Sequence, residues 1–136
     1  MGYSARIRRV ILDTSILMLL YNGVQVFDEI DELLLSKPEC IVPRSVVEEL
    51  ERIAKSSDKS LHQRRAARLA LEALAKRGCR VVGTGLSADD AIIELATRLR
   101  DAIVATADNE LRRRLRELGL PNIYYRRSRH GLMLEA

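Results

Sequence analysis

Short apolar runs alternate with longer stretches of helical spacing along this chain, and that alternation limits it to one class of fold. The runs are RVILD (9–13), ECIVP (39–43), CRVVG (79–83), DAIVATA (101–107) and NIYYR (122–126). They are rich in Val and Ile and bounded by polar or turn-forming residues, as buried strands are. Between them lie TSILMLLYNG, VQVFDEIDELLLSK (24–37), RSVVEELERIAK (44–55), LHQRRAARLALEALAKRG (61–78), DDAIIELATRLR and DNELRRRLRELG. Their apolar residues recur at the period of a helix face. Gly23, Gly78 and Gly119 close three of these helices, Pro43 stops the second strand, and Ser45 is the expected N-cap of helix 44–55. Strands separated by helices of this length pair in parallel, with helices on both faces of the sheet. The fold class is α/β.

A length of 136 residues suits a single domain, 1–136, with a basic C-terminal tail over 126–136. A hydrophobic content of 47% and a charged content of 31% exclude a disordered chain. No run approaches the roughly 18 uncharged apolar residues of a membrane span. The start, MGYSARIRRVILDTS, is basic but has only a brief apolar run before Asp13, unlike a secretory leader. A cytoplasmic protein with no membrane partner is expected. Cys40 and Cys79 are too far apart for a CxxC motif. They are read as buried core residues, with a disulfide between them left open. His62 and His130 stand alone, so zinc is not expected.

Acidic residues recur where the strands end. Asp13 closes the first strand, Asp108 follows the fourth, Asp89 and Asp90 follow the third, and Glu48 and Glu49 lie a turn beyond the second. In a parallel α/β sheet this carboxyl edge is where ligands bind. At about 100° per residue, the apolar face of helix 88–100 centres roughly 65° from Asp89 and roughly 160° from Asp90. Asp89 is thus on the buried face, and Asp90 points outward, suited to a capping box with Ser87. Asp108 lies in line with Leu111, Leu115 and Leu118. On helix 44–55 Glu48 faces solvent, while Glu49 and Glu51 both border the apolar stripe and spacing does not separate them. Converging buried carboxylates repel one another unless a cation joins them. Oxygen donors without His or Cys select Mg²⁺ or Mn²⁺, and such ions suit attack of water on a phosphodiester.

LDTSIL, VVEELERI, ADDAIIELA and VATADNELRRRLRELG, in this order, resemble the signature segments of PIN-domain ribonucleases over about Arg8 to Tyr125. The resemblance implies a Rossmann-like parallel sheet of central order 3-2-1-4-5 and Mg²⁺- or Mn²⁺-dependent cleavage of single-stranded RNA. It places the catalytic and metal-binding acids at Asp13, Glu49, Asp89 and Asp108, with Asp90 secondary, and polar support at Thr14, Ser15 and Thr106. A leucine after the family's glutamate selects Glu49 over Glu51. The family commonly has Asn where this chain has Ser15. The adjacent pair Asp89–Asp90 and the segment TADNEL look closer to rRNA-processing members than to the minimal VapC toxin type. An antitoxin or a ribosome-assembly protein is the partner each branch implies.

Arginine supplies 19 of the 23 basic residues, and guanidinium groups favour phosphate contact. Arg112, Arg113 and Arg116 after Asp108, and Arg126, Arg127 and Arg129 beyond the fifth strand, are the expected contacts to single-stranded or structured RNA. Of Tyr124 and Tyr125, which alternate across that strand, at most one reaches a base. A homodimer through helices 24–37 and 61–77 is expected from their apolar content. The rival class is a PIN-fold RNA-binding scaffold that cleaves little or nothing. A receiver- or phosphatase-type phosphoryl-transfer domain is disfavoured, because Asp13 lacks a neighbouring acid and no Lys follows Lys76.

Overall fold

The computed structural model describes residues 7–136, so the first six residues of the basic start lie outside it. The strands are β1 (Arg9–Leu12), β2 (Glu39–Pro43), β3 (Arg80–Val82), β4 (Ala102–Thr106), β5 (Asn122–Arg126) and β6 (Gly131–Glu135). They form one sheet of order β3-β2-β1-β4-β5-β6. The central order 3-2-1-4-5 is the expected one, parallel throughout, with Val10 opposite Cys40 and Ile103, and Ala105 opposite Ile123. β6 was expected as a tail. It instead runs antiparallel to β5, with Tyr124 opposite Met133.

Burial explains the inner strands. Val10, Ile11, Leu12, Ile41, Val42, Ile103 and Val104 are wholly buried on a sheet covered from both sides. The helices are α1 (Thr14–Met18), continued by a 3₁₀ turn Leu19–Asn22, α2 (Val26–Leu34), α3 (Arg44–Lys55), α4 (Leu61–Arg77), α5 (Ala88–Arg98) and α6 (Asn109–Glu117). Each sends a periodic stripe into one core, for example Val46 and Leu50 from α3 and Leu111 and Leu115 from α6. Truncating a buried Leu or Ile to Ala at such a position costs about 2–5 kcal/mol.

Local capping departs from the sequence reading twice. α3 starts from Pro43, not Ser45, because the fixed proline ring and extended backbone already end the strand; Ser45 Oγ is buried without a partner. Ser87 precedes α5 without a side-chain cap, so the capping box with Asp90 does not form. A full capping box stands on α4, between Ser60 and Gln63. Cys40 and Cys79 are joined in a disulfide that ties the start of β2 to the approach to β3. Among the described residues no helix is long and apolar enough to cross a membrane.

Candidate active site

β1 has β2 on one side and β4 on the other, so the chain leaves β1 in one direction across the sheet and returns from the other. This is the topological switch point, where loops diverge and a crevice opens at the carboxyl ends of the strands. A pocket of about 230 Å³ sits there, lined by Asp13, Glu49, Asp89 and Asp108 with Thr14, Ser15, Val46, Ala88 and Ile92. The four acids come from the end of β1, α3, α5 and the start of α6. Glu48 and Glu51 line a separate depression with Arg52 and Lys55, so of the three acids on α3 it is Glu49 that lines the carboxylate pocket. Asp90 is exposed and bonds Arg114 at 3.2 Å.

Asp13 is 5% exposed and caps α1. Its Oδ1 accepts from Ser15 Oγ at 2.7 Å and from the Ile16 amide at 3.2 Å, and its Oδ2 accepts from Thr106 Oγ1 at 2.7 Å. Each hydroxyl is set by a backbone amide: Ala107 N–H donates to Ser15 Oγ at 2.9 Å, and Asp108 N–H to Thr106 Oγ1 at 3.0 Å. The two hydroxyl oxygens are 3.3 Å apart with both hydrogens committed to Asp13. The chain thus locks the end of β1 to the end of β4 through one carboxylate. Ser15, where an amide side chain is common in the family the sequence resembles, holds both partners by giving a hydrogen and taking one.

The other acids are positioned by equally local means. Thr14 Oγ1 donates to Glu49 Oε1 at 2.6 Å, joining α1 to α3. Asp108 is the N-cap of α6, accepting from Glu110 and Leu111 amides at 2.9 and 3.4 Å. Burial is the main force on Asp13, outweighing its hydrogen bonds and lifting its pKa from 3.8 to about 6, with the charge of Asp108 adding to the rise. Desolvation and then the charge of Asp108 likewise raise the Asp89 carboxyl, while Arg114 pulls it down. Arg114 belongs to the basic run after Asp108, and its pairing with Asp90 is the contact the sequence did not signal. Arg114 lies six residues beyond Asp108, and nothing in that spacing shows that it crosses to Asp90 on α5.

The donor chemistry fits a hard divalent ion: carboxylates and hydroxyls, no imidazole or thiolate, and negative charge that the lining residues do not neutralise. Asp13 Oδ2 accepts a single protein hydrogen bond, so one of its lone pairs is open to a cation. Among the described residues no three His, Cys, Asp or Glu side chains are set to hold an ion together as they stand. The fit is one of donor type and charge, and the carboxylates would have to draw inward to share an ion.

The expected arginines separate into two groups. Arg112 bonds Glu135 at 2.9 Å and lies 3.5 Å from the Tyr124 ring centroid, Arg113 pairs with Glu110 and Glu117, and Arg116 lies 3.7 Å from Glu135. These partners hold them on the protein surface. Arg126 and Arg127 are exposed and line a second cleft beside the acidic pocket, with Arg112, Tyr124 and Tyr125. Arg129 is exposed in the 3₁₀ turn after β5 and does not line the cleft.

A family model described as PIN like domain matches residues 10–128. Ribonuclease VapC4 of Methanocaldococcus jannaschii is 34% identical over 123 residues, which span 90% of this chain and 93% of that protein. A solved structure of the PIN domain endonuclease Utp24 superposes with a TM-score of 0.73 at 25% identity, covering 97% of this chain and 94% of the other.

Proposed function

The chain belongs to the PIN-like domain family, and from that premise we propose that it is an endoribonuclease that hydrolyses phosphodiester bonds of single-stranded RNA with a divalent ion, Mg²⁺ or Mn²⁺. The observation that carries the proposal is the convergence of Asp13, Glu49, Asp89 and Asp108 on one pocket at the switch point of the sheet. The relative named a ribonuclease and the structure titled a PIN domain endonuclease support it. Asp13, Asp89, Asp108 and Glu49 would hold the ion, with Asp90 at the margin. When bound, it lowers the pKa of water and offsets charge on the reacting phosphate.

The remaining work falls to the chain itself. Ser15 and Thr106 hold both oxygens of Asp13 in one orientation, and Thr14 does the same for Glu49. Such fixing removes the rotamer freedom that would otherwise be lost when ion and substrate bind. Asp108 accepts from the free amides at the start of α6, which holds its carboxylate in place. No Lys or His lines the pocket, so no protein cation or imidazole competes there with the ion. An antitoxin or ribosome-assembly partner forms part of this proposal on the sequence resemblance, a homodimer on the apolar content of helices 24–37 and 61–77, and a cytoplasmic location on the sequence pattern.

The test is cleavage of a labelled single-stranded RNA pool with Mn²⁺, Mg²⁺ or EDTA, comparing wild type with Asp13→Asn. Cutting that requires the metal and disappears in the variant is the expected result. RNA that is bound but left intact by the wild type with either ion would refute the enzyme and favour the scaffold.

A further inference from the structure

We propose that the cleft lined by Arg112, Tyr124, Tyr125, Arg126, Arg127 and Asn109 is the subsite that holds the nucleotide next to the scissile phosphate, on the β5 side of the acidic pocket. The proposal rests on the endoribonuclease reading. It deepens that reading by assigning a path for the RNA strand.

Continuity comes first. The cleft has a volume of about 590 Å³ and is lined by Ala107 and Asn109, the neighbours of Asp108 on either side. Asp108 itself lines the carboxylate pocket. The two depressions therefore share the β4–α6 turn, and a strand leaving one enters the other.

Chemistry comes second. The Arg112 guanidinium is held over the Tyr124 ring, 3.5 Å from its centroid, and is bonded through Nε to Glu135 at 2.9 Å. Glu135 is itself kept ionised by hydrogen bonds from Asn122 and Arg112, which lower its pKa. A rigid guanidinium–aromatic stack presents a planar wall against which a base packs without regard to its identity. Arg126 and Arg127 form no ion pair among the described residues and are exposed at the mouth of the same cleft. Free guanidinium groups beside a stacking wall match a nucleotide, with its phosphate and its base. An acidic peptide would use the cations alone. Arg113 and Arg116 face carboxylates and do not line the cleft, which separates the subsite from the general basic character of α6. Tyr125 packs against the core and reaches His130 at 2.9 Å, so Tyr124 is the tyrosine that offers a base its ring system.

The experiment measures binding of a short fluorescein-labelled single-stranded RNA by anisotropy in the Asp13→Asn background, and steady-state cleavage by the same variants with Asp13 intact. Arg126→Ala/Arg127→Ala should weaken binding and make the dependence of log K on log salt shallower by about 1.4, at about 0.7 per phosphate contact on a single strand. Tyr124→Leu should weaken binding about tenfold with the salt slope unchanged. Both should raise KM while leaving kcat near its wild-type value. Arg98→Ala/Arg100→Ala, which removes the same charge at the far end of α5, is the control and should bind and cut like the parent. If the wild type cuts RNA but the cleft variants match the control, the subsite is refuted and the nuclease stands. If the wild type neither binds nor cuts RNA with any of the ions, the nuclease reading falls and the subsite with it.

Discussion

Replacing Asp13 by Asn is expected to raise the stability of the protein at neutral pH. The Asp13 carboxyl titrates at 3.8 in the unfolded chain and at about 6 in the fold. The native state therefore holds this proton more tightly. The cost of burying the charge is absent below pH 4, grows as the pH rises, and is complete above 6. The interval multiplied by 1.36 kcal/mol per pK unit comes to about 3 kcal/mol. Asparagine resembles the protonated acid in size. Its amide must turn the Thr106 hydroxyl from donor to acceptor, which offsets about 1 kcal/mol. A net gain of about 2 kcal/mol corresponds to about 7 °C in Tm for a chain of this size. Thermal unfolding of both proteins in EDTA at pH 4 and pH 7.5 reads this directly. The gain should be present at pH 7.5 and absent at pH 4. A variant that melts at or below the wild type at pH 7.5, or by the same margin at both pH values, would refute the assignment of an uncompensated buried charge.

Other outcomes follow from separate features. Reduction of the Cys40–Cys79 bridge, or its replacement by Ala at both positions, opens a loop of 39 residues and should cost about 4 kcal/mol, seen as a fall in Tm in the presence of reductant. Asp108→Asn should keep the α6 cap and leave Tm nearly unchanged while abolishing RNA cleavage; Asp108→Ala should lose cleavage and a further 1 kcal/mol or so of stability. Millimolar Mg²⁺ should raise the Tm of the wild type by differential scanning fluorimetry and leave that of Asp13→Asn unmoved, since an ion bound only to the native site stabilises by mass action. Leu50→Ala should lower stability by about 2–5 kcal/mol, measured by urea unfolding.

The main elements were legible because each inner strand is an unbroken apolar run and each helix carries its stripe. β6 was not. GLMLE follows a basic stretch with no helix in between, and its hairpin turns through His130 at φ 46°, a left-handed position usually marked by Gly or Asn. Losing β6 also hid Glu135, and with it the partner that fixes Arg112. The acids at 13, 89 and 108 were readable from strand ends and helical faces. Glu49 was not separable from Glu51 by spacing, because both flank the stripe; the contact with Thr14 distinguishes them. The reach of Arg114 to Asp90 spans 24 residues and leaves no local trace. Nor does the pairing of Cys40 with Cys79, which depends on β2 and β3 lying side by side.

The late strand also settles how the sheet ends. An antiparallel β6 on the rim would leave outward-facing amides free to pair with another chain. Glu29 of α2 accepts from the Leu132 amide at 2.7 Å, and its Oε1 lies 3.0 Å from where a Cβ on Gly131 would stand. A carboxylate thus occupies a hydrogen-bonding position that a foreign strand would need. At the other rim β3 offers three residues beginning with a charged Arg80. Charge at one border and brevity at the other disfavour edge-to-edge pairing with a foreign strand.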